Sequence, residues 1–216
     1  MGETPAGKKR KAGGRVLEVF SQPIVNPFTG QKVMEEYLSR PGCPIKEYFS
    51  NKDRDTLIRR ELHAILQAIE VSAGETPCNI NVTLYTLLFI SKLPFINWRG
   101  GIEIVEWENS ISPHCKQTRM AIRDLQAKGL MVWADDVTPN DLTMWLRTEV
   151  NGYKVELAEI QNNLEFLRAL QRTKKPIVVE RIETQKEQQW VKEQGLTLAQ
   201  GYYYGRPKRR ETMREL

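Results

Sequence analysis

Apolar residues along this chain form short runs separated by more polar segments. Several runs are rich in Val, Ile and Tyr, and they alternate apolar with polar residues or are continuously apolar, as β-strands are. Gly, Pro and charged residues bound most of them, as expected for turns. The pattern predicts strands at 16–25, 31–40, 78–83, 101–107, 130–134, 152–157, 176–182 and 196–204.

Helical spacing of apolar residues appears between several of these strands. In the segment 55–71, residues such as Leu57, Ile58 and Leu62 recur at the spacing of one helix face. A second helix begins near Ser112, which Pro113 follows, and it stops before Gly129, with typical start and end residues. The sequence therefore predicts helices at 55–71, 112–128, 157–170 and 184–194.

The alternation of strands and helices predicts an α/β fold with a mainly parallel sheet. About eight strands favour a closed barrel over an open sheet. No strand is followed by a Gly-rich turn of the dinucleotide-binding or P-loop type, so those nucleotide folds have no support. We expect one folded domain over residues 16–207, between a disordered basic tail at 1–15 and a charged tail at 208–216.

The positive charge of the chain is confined to its two ends. The net charge is +5, of which residues 1–15 carry +4 and residues 206–216 carry +3, leaving −2 on the body between them. Proteins that read nucleic acid usually carry a basic surface on the fold itself. Contact with nucleic acid is therefore expected, at most, from the tails.

Cysteine usage and hydropathy indicate a cytoplasmic protein without a membrane span. Cys43, Cys78 and Cys115 are an odd number, far apart and without a CxxC pair, so a disulfide framework or a zinc site is not expected. The most apolar stretch, 80–96, is interrupted by polar residues and a proline, which argues against a transmembrane helix. The basic N-terminal segment has no apolar run behind it, so no secretory signal is predicted.

Polar residues stand at or near the ends of nearly all the predicted strands. Each of them alone would be read as a turn, cap or surface residue. In a closed parallel barrel, however, the carboxyl ends of the strands converge on one face, where barrel enzymes have their active sites. Taken together they predict a site made from Glu36, Asn81, Glu103, Asp135, Asp136, Lys154, Glu180 and Gln200.

The composition of this set favours a divalent metal centre. Clustered carboxylates repel one another and resist ionisation unless cations compensate them. Oxygen ligands without Cys or His point to Mg²⁺ or Mn²⁺ rather than zinc. Asp135 and Asp136 are adjacent and diverge, so they can serve two ions, and two metals roughly 3.5–4 Å apart suit the hydrolysis of a phosphodiester. Lys154 would orient the water or neutralise phosphate charge.

The ordered motifs resemble those of the EAL domain, the bacterial phosphodiesterase that linearises cyclic di-GMP. The most specific matches are FSQPIV at 20–25, VVERIETQKEQ at 178–188 and GLTLAQGYYYGRP at 195–207. The resemblance covers nearly all of residues 18–207 in order. Weaker matches are MEEYLSR at 34–40, in the place of the signature Glu-Ala-Leu-Leu-Arg, NINVT at 79–83, IEIVE at 102–106, WADD at 133–136 and YKVE at 153–156.

This resemblance implies a modified TIM-like (β/α)₈ barrel with an antiparallel first strand and, here, some shortened helices. It implies metal-dependent hydrolysis of cyclic di-GMP to linear pGpG. By the same resemblance, Mg²⁺ or Mn²⁺ is held by Glu36, Asn81, Glu103, Asp135, Asp136 and Glu180, and the substrate contacts Gln22, Arg40 and Gln200. The catalytic residues would be Glu36, Lys154, Glu180 and Asp136, supported by Glu106 and Glu183.

The chain also departs from the family pattern at four places. Tyr37 replaces a small residue beside the signature glutamate, and residues 137–140 lack the glycines of the family loop through which members commonly dimerise. Glu156 stands in place of an aspartate, and Arg181 in place of a glycine. Two alternatives to an active phosphodiesterase therefore stay open: a degenerate member that binds a protein partner such as a transcription regulator, and a receptor that binds cyclic di-GMP without turnover.

Overall fold

A computed structural model of the chain describes most of the predicted domain. The N-terminal tail predicted at 1–15 and the predicted supporting residue Glu106 lie outside the described residues. Within them, no helix has the length and hydrophobicity needed to cross a bilayer. The described residues are 17–49, 53–72, 77–94, 98–105 and 115–211.

Strands and short helices alternate along the described chain. The strands are β1 Leu17–Val25, β2 Lys32–Pro41, β3 Cys78–Val82, β4 Gly100–Ile104, β5 Met131–Ala134, β6 Gly152–Glu156, β7 Ile177–Glu180, β8 Leu198–Gln200 and β9 Lys208–Arg210. The helices are α1 Ile45–Phe49, α2 Arg54–Ser72, α3 Leu84–Ile90, α4 Lys116–Ala127, α5 Leu142–Leu146, α6 Leu157–Asn162, α7 Leu164–Arg172 and α8 Gln185–Glu193.

The first eight strands close into a barrel. Strands β2 to β8 pair in parallel in their chain order, and β1 completes the ring because it pairs antiparallel with both β2 and β8. The predicted (β/α)₈ barrel with an antiparallel first strand is therefore confirmed. Several helices on its outside are short, as predicted: α3, α5 and α6 have seven, five and six residues, whereas α2 has nineteen.

Successive side chains of each strand point to opposite faces, so one set lies inside the barrel and the other packs beneath the outer helices. The lower interior is filled by Trp133, which is fully buried among apolar side chains of the neighbouring strands. Gly152 makes room for it, since a Cβ at this position would lie 2.4 Å from the Trp133 ring. The other residues that pack around the ring are Ile24, Met34, Val178 and Leu198.

The helix predicted at 157–170 is two helices in the structure. Asn163 interrupts it with a non-helical backbone, at φ −141° and ψ 86°, and its side-chain oxygen accepts a hydrogen bond from the backbone N–H of Phe166. Asparagine is a good N-cap residue, so it ends α6 and starts α7 within one position. The pattern at 157–170 indicated the helical type correctly but not this break.

A ninth strand lies where the sequence predicted a charged tail. Lys208–Arg210 pairs antiparallel with β1 at Val19–Ser21, next to the part of β1 that pairs with β8. Arg210 is anchored by Glu35 of β2, at 3.4 Å, and it donates a hydrogen bond to the Tyr37 hydroxyl. The folded part of the chain therefore extends beyond the predicted boundary at 207, because these basic side chains find partners on the barrel.

Candidate functional site

Eight polar side chains form a single network above the apolar interior, seven of them on barrel strands and one, Asp135, directly after β5. The strands place them together because alternate residues of a strand point to the same face, and the parallel strands end at the same rim. Direct hydrogen bonds or ion pairs connect all eight members. The eight residues are Gln22, Glu36, Asn81, Glu103, Asp135, Lys154, Glu180 and Gln200.

Lys154 is the centre of this network. Its ammonium nitrogen lies 2.7 Å from Glu103, 3.0 Å from Glu180, 3.1 Å from Asp135 and 3.4 Å from Glu36. The side chain is 1% exposed, so water does not compete for these contacts. One buried cation therefore holds four carboxylates in a fixed arrangement, three of them on β2, β4 and β7 and one directly after β5.

Two amide side chains orient Glu36. Asn81 donates to one carboxylate oxygen at 2.7 Å, and Gln200 donates to the other at 2.6 Å. Gln200 also lies 3.4 Å from the side-chain oxygen of Gln22, whose own amide donates to the Gly205 carbonyl. Both oxygens of Glu36 are thereby occupied and its position is set from three strands.

The acidic groups of the network differ in their pKa values. Burial raises the pKa of Asp135 to about 6 and that of Glu180 to about 8, although Lys154 opposes both shifts. Burial, together with the charge of Glu36, raises the pKa of Glu103 well above its ordinary value. Burial would also raise the pKa of Glu36, but Lys154 and the two amide donors outweigh it, so this pKa is lowered.

The same carboxylates hold the pKa of Lys154 well above its ordinary value, even though burial acts to lower it. A buried lysine without partners would lose its proton instead. Lys154 is therefore a permanent cation in this site. Its single positive charge balances only part of the negative charge that the four surrounding carboxylates would carry if all were ionised.

Asp136 reaches the same group of carboxylates from a strained backbone. Its φ is +47°, a left-handed conformation that aspartate tolerates better than most residues. The following residue, Val137, is buried, and its N–H donates to the Lys154 carbonyl. Among the described non-glycine residues, only Asp136, Lys174 and Arg181 have positive φ, so residues 137–140 do not need the glycines that the family loop carries.

The donor set fits a divalent cation. Carboxylate oxygens of Asp135, Asp136 and Glu180 lie within 4.8 Å of one another. The side-chain oxygens of Asn81 and Gln200 are buried, and in the described part of the chain neither has a hydrogen-bond partner. Buried polar atoms normally find partners, and oxygen donors of this kind suit Mg²⁺ or Mn²⁺.

A cleft of about 460 Å³ opens from the network to the surface. Seven of its lining residues belong to the site predicted from the sequence: Gln22, Glu36, Asp135, Asp136, Lys154, Glu180 and Gln200. The predicted supporting residue Glu183 also lines it. The remaining lining residues are Leu38, Arg181, Gly201 and Tyr202.

Three of the predicted site residues that the structure describes do not line this cleft: Glu103, Asn81 and Arg40. Glu103 is fully buried, and its oxygens accept hydrogen bonds from Asn79 and Lys154. Arg40 and Asn81 line a separate pocket of about 210 Å³, which adjoins the cleft at Leu38. The predicted metal role of Glu103 and the predicted substrate contact of Arg40 stay predictions, as does the supporting role of Glu106, which lies outside the described residues.

Asn79 is a member of the network that the sequence analysis missed. It is buried on β3, two residues before Asn81, and it donates to Glu103 at 3.0 Å. The sequence contained a signal that could have identified it, because Asn79 in the short run CNINV falls on the same face of the strand as Asn81. Asn79 fixes Glu103 from the side opposite Lys154.

Tyr37 does not enter the cleft, although it follows Glu36. It points to the other side of β2 and is 2% exposed within the outer core. Its bulk is accommodated beneath α2, and the guanidinium of Arg210 lies 5.8 Å from its ring centre. The large residue in the signature therefore leaves the site geometry unaffected.

Comparison with known proteins identifies the fold. No protein-family model matches the chain, and neither does any curated protein sequence. Solved structures match over most of it. BlrP1 from Klebsiella pneumoniae, in a calcium and cyclic di-GMP complex, superposes with a TM-score of 0.72 at 20% identity, covering 91% of this chain and 57% of BlrP1.

Two shorter proteins match along almost their whole length. An EAL domain protein from Listeria monocytogenes gives a TM-score of 0.70 at 16% identity, covering 92% of this chain and 90% of that one. The EAL domain of DcpA from Mycobacterium smegmatis gives 0.66 at 17% identity, with 89% and 93% covered. The chain therefore has the fold of the EAL domain.

Proposed function

We propose that this protein is a metal-dependent phosphodiesterase that hydrolyses cyclic di-GMP to linear pGpG. The observation that carries the proposal is the network of eight polar side chains around the barrel, six of which line an open cleft. Two supporting facts are the oxygen-only donor set and the fold shared with structures that hold cyclic di-GMP together with calcium or manganese.

Asp135, Asp136, Glu180 and Glu36, which line the cleft, would hold one or two Mg²⁺ or Mn²⁺ ions together with Asn81, whose amide donates to Glu36. An ion bound there lowers the pKa of a coordinated water and stabilises negative charge on a phosphodiester. With pKa values of about 6 for Asp135 and about 8 for Glu180, binding of a cation would displace a proton from Glu180 at neutral pH, because the cation favours the ionised form of both groups.

The chain's own residues supply positioning and charge. Lys154 holds Glu36, Asp135 and Glu180 at fixed separations and offsets part of their negative charge at the cleft. Glu36 presents a carboxylate whose pKa is lowered, so it is ionised near neutral pH. Gln22 and Gln200, both in the cleft lining, are the amides placed to contact the substrate.

We further place the protein in the cytoplasm, where cyclic di-GMP is made and degraded. Three cysteines that form no disulfide, Cys43, Cys78 and Cys115, support a reducing compartment. Dimerisation through the loop after Asp136 remains a proposal from the family resemblance, and light scattering of the purified chain tests it.

The direct test is hydrolysis of cyclic di-GMP by the purified full chain with Mg²⁺ or Mn²⁺, with Ca²⁺ as the control that does not support turnover. Wild type is expected to release pGpG. Glu36→Ala and the closer mimic Glu36→Gln are expected to lose at least about a hundredfold in rate, because the carboxylate shared by Asn81, Gln200 and Lys154 is lost.

Glu149→Gln is the matched control. Glu149 is an exposed carboxylate that pairs with Arg123, and it is not part of the cleft lining, so its rate should equal that of wild type. Binding measured by calorimetry in the same samples separates the alternatives. Tight binding without turnover would make the protein a receptor, and neither binding nor turnover would refute the proposal and favour a role in binding a protein partner.

A further inference from the structure

Arg181 is the exposed cation in a cleft whose charged lining residues, among those described, are mainly acidic. Five of the lining residues are acidic. The other basic residue in this lining is Lys154, which is buried and surrounded by four carboxylates. The side chain of Arg181 is 72% exposed and lies towards the mouth. The acidic lining residues are Glu36, Asp135, Asp136, Glu180 and Glu183.

The backbone of Arg181 is held in a conformation that does not suit arginine. Its φ is +61°, in the left-handed region that favours glycine. The next residue fixes this turn: Ile182 is buried, its N–H donates to the Gln200 carbonyl, and its carbonyl accepts from the Tyr203 N–H. A large side chain retained on such a backbone is a reason to look for a function of that side chain.

Glu156 holds the guanidinium in place. An oxygen of Glu156 lies 2.6 Å from a terminal nitrogen of Arg181, and Glu156 on β6 is in register with Glu180 on β7. These two residues are departures from the family pattern, in which an aspartate and a glycine stand at the two positions, and the structure brings them into contact. Because a guanidinium has five N–H donors, one contact leaves donors for a second acceptor.

We propose that Arg181, positioned by Glu156, binds a phosphate of the substrate at the mouth of the cleft. The inference rests on the proposed function. Cyclic di-GMP has two phosphodiester groups, and only one of them can lie at the carboxylate centre during a given turnover. The other needs a cation within an acidic cleft, and a planar guanidinium binds a phosphate through two parallel hydrogen bonds.

The informative variant is Arg181→Gly. It removes the side chain and at the same time supplies a residue that accepts a positive φ. Binding of cyclic di-GMP to the full chain is measured by calorimetry with Ca²⁺, and thermal unfolding is measured without ligand. We expect the Kd to rise about five- to twentyfold, with an unfolding temperature equal to or above that of wild type.

Arg181→Lys and added salt refine the test. Lysine keeps the charge but not the paired hydrogen bonds, so its Kd should fall between those of wild type and Arg181→Gly. Raising the salt concentration should weaken binding to wild type more than to Arg181→Gly, because the exposed charge is screened. In turnover assays with Mn²⁺, KM should rise more than kcat falls.

The possible failures are distinct. If wild type binds cyclic di-GMP and Arg181→Gly binds it equally well, the inference is overturned whatever the unfolding temperature, and a lower unfolding temperature would show that Arg181 serves only its ion pair with Glu156. If wild type itself does not bind cyclic di-GMP, the proposed function fails, and the role of Arg181 fails with it.

Discussion

At the scale of single residues, the site depends on one lysine among too many acids. Lys154 contacts Glu36, Glu103, Asp135 and Glu180, and one ammonium cannot balance four ionised carboxylates. Removal from water then favours the neutral acid wherever hydrogen bonds do not hold the charge. Glu36 has two amide donors and stays ionised, whereas Glu180 has a pKa of about 8. Local hydrogen bonding therefore divides similar side chains into different protonation states.

This division predicts how the stability of the metal-free protein depends on pH. A carboxyl group whose pKa is raised on folding keeps its proton in the folded state at a pH where the unfolded chain has released it. Its contribution to stability is complete below the unfolded pKa, about 4, and is lost as the pH rises through the folded pKa. With folded values of about 6 for Asp135 and about 8 for Glu180, the free energy of unfolding should fall between about pH 4 and pH 8.

Chemical denaturation at a series of pH values checks this, with Glu180→Gln as the matched variant. Glutamine cannot ionise, so the fall should be shallower by up to about 1.4 kcal/mol per pH unit. Excess Mn²⁺ should remove most of the fall in wild type, because it binds the ionised carboxylates of the folded state. Equal slopes for the two proteins would contradict the assigned protonation of Glu180.

At the scale of elements, the two faces of β2 contact different parts of the molecule. Glu36 points into the barrel, whereas Glu35 and Tyr37 point outwards to the C-terminal strand β9. Arg210 of β9 contacts both of these residues and lies over the Tyr37 ring. The last strand thus covers the edge of β1 beyond its pairing with β8, and it ties the end of the domain to its second strand.

Arg210→Ala should lower the free energy of unfolding by about 1 kcal/mol, since Glu35 is almost buried and would lose one of its two cationic partners. The neighbouring Arg209 provides the control. Its ion pair with Glu18 is exposed on both sides, so Arg209→Ala should cost less than about 0.5 kcal/mol. Urea denaturation measures both, and equal losses would mean that β9 is not anchored through Glu35 and Tyr37.

At the scale of the whole molecule, barrel closure joins residues that are far apart in the sequence. Gln22 meets Gln200, and Glu36 meets Gln200, only because β1 pairs with both β2 and β8. Trp133 fills the interior below them, so the floor of the site lies on a packed apolar layer. The geometry of the cleft is therefore a property of the closed ring rather than of any single strand.

Gly152→Ala tests the packing beneath the site. The added Cβ would meet the Trp133 ring at 2.4 Å and the Pro176 carbonyl oxygen at 2.7 Å. Because both neighbours are held by the barrel, we expect a loss of about 1–3 kcal/mol in the free energy of unfolding. Gly42→Ala, where a Cβ would have no atom within 4 Å, should leave stability nearly unchanged. A neutral Gly152→Ala would show that the interior is less tightly packed than described.

Much of the architecture can be predicted from local sequence patterns. Apolar runs, separated by segments with helical spacing, predicted all eight barrel strands. Polar residues at or near the ends of those strands predicted the site. These features are readable because side-chain direction follows the residue number within a strand. The break at Asn163 and the strand at Lys208–Arg210 were not readable, since both depend on hydrogen bonds or ion pairs that their local sequence does not reveal.

The sequence by itself determined the succession of strands and helices along the chain, the α/β fold class and the residue types of the site, because each is encoded in spacing and composition. Only the tertiary structure decided which groups touch. It placed Lys154 within 3.4 Å of four carboxylates, added Asn79 to the network, turned Tyr37 away from the cleft and joined Arg181 to Glu156. Such contacts require the ring to close with a particular stagger between strands, and that stagger arises from the packing of the whole barrel.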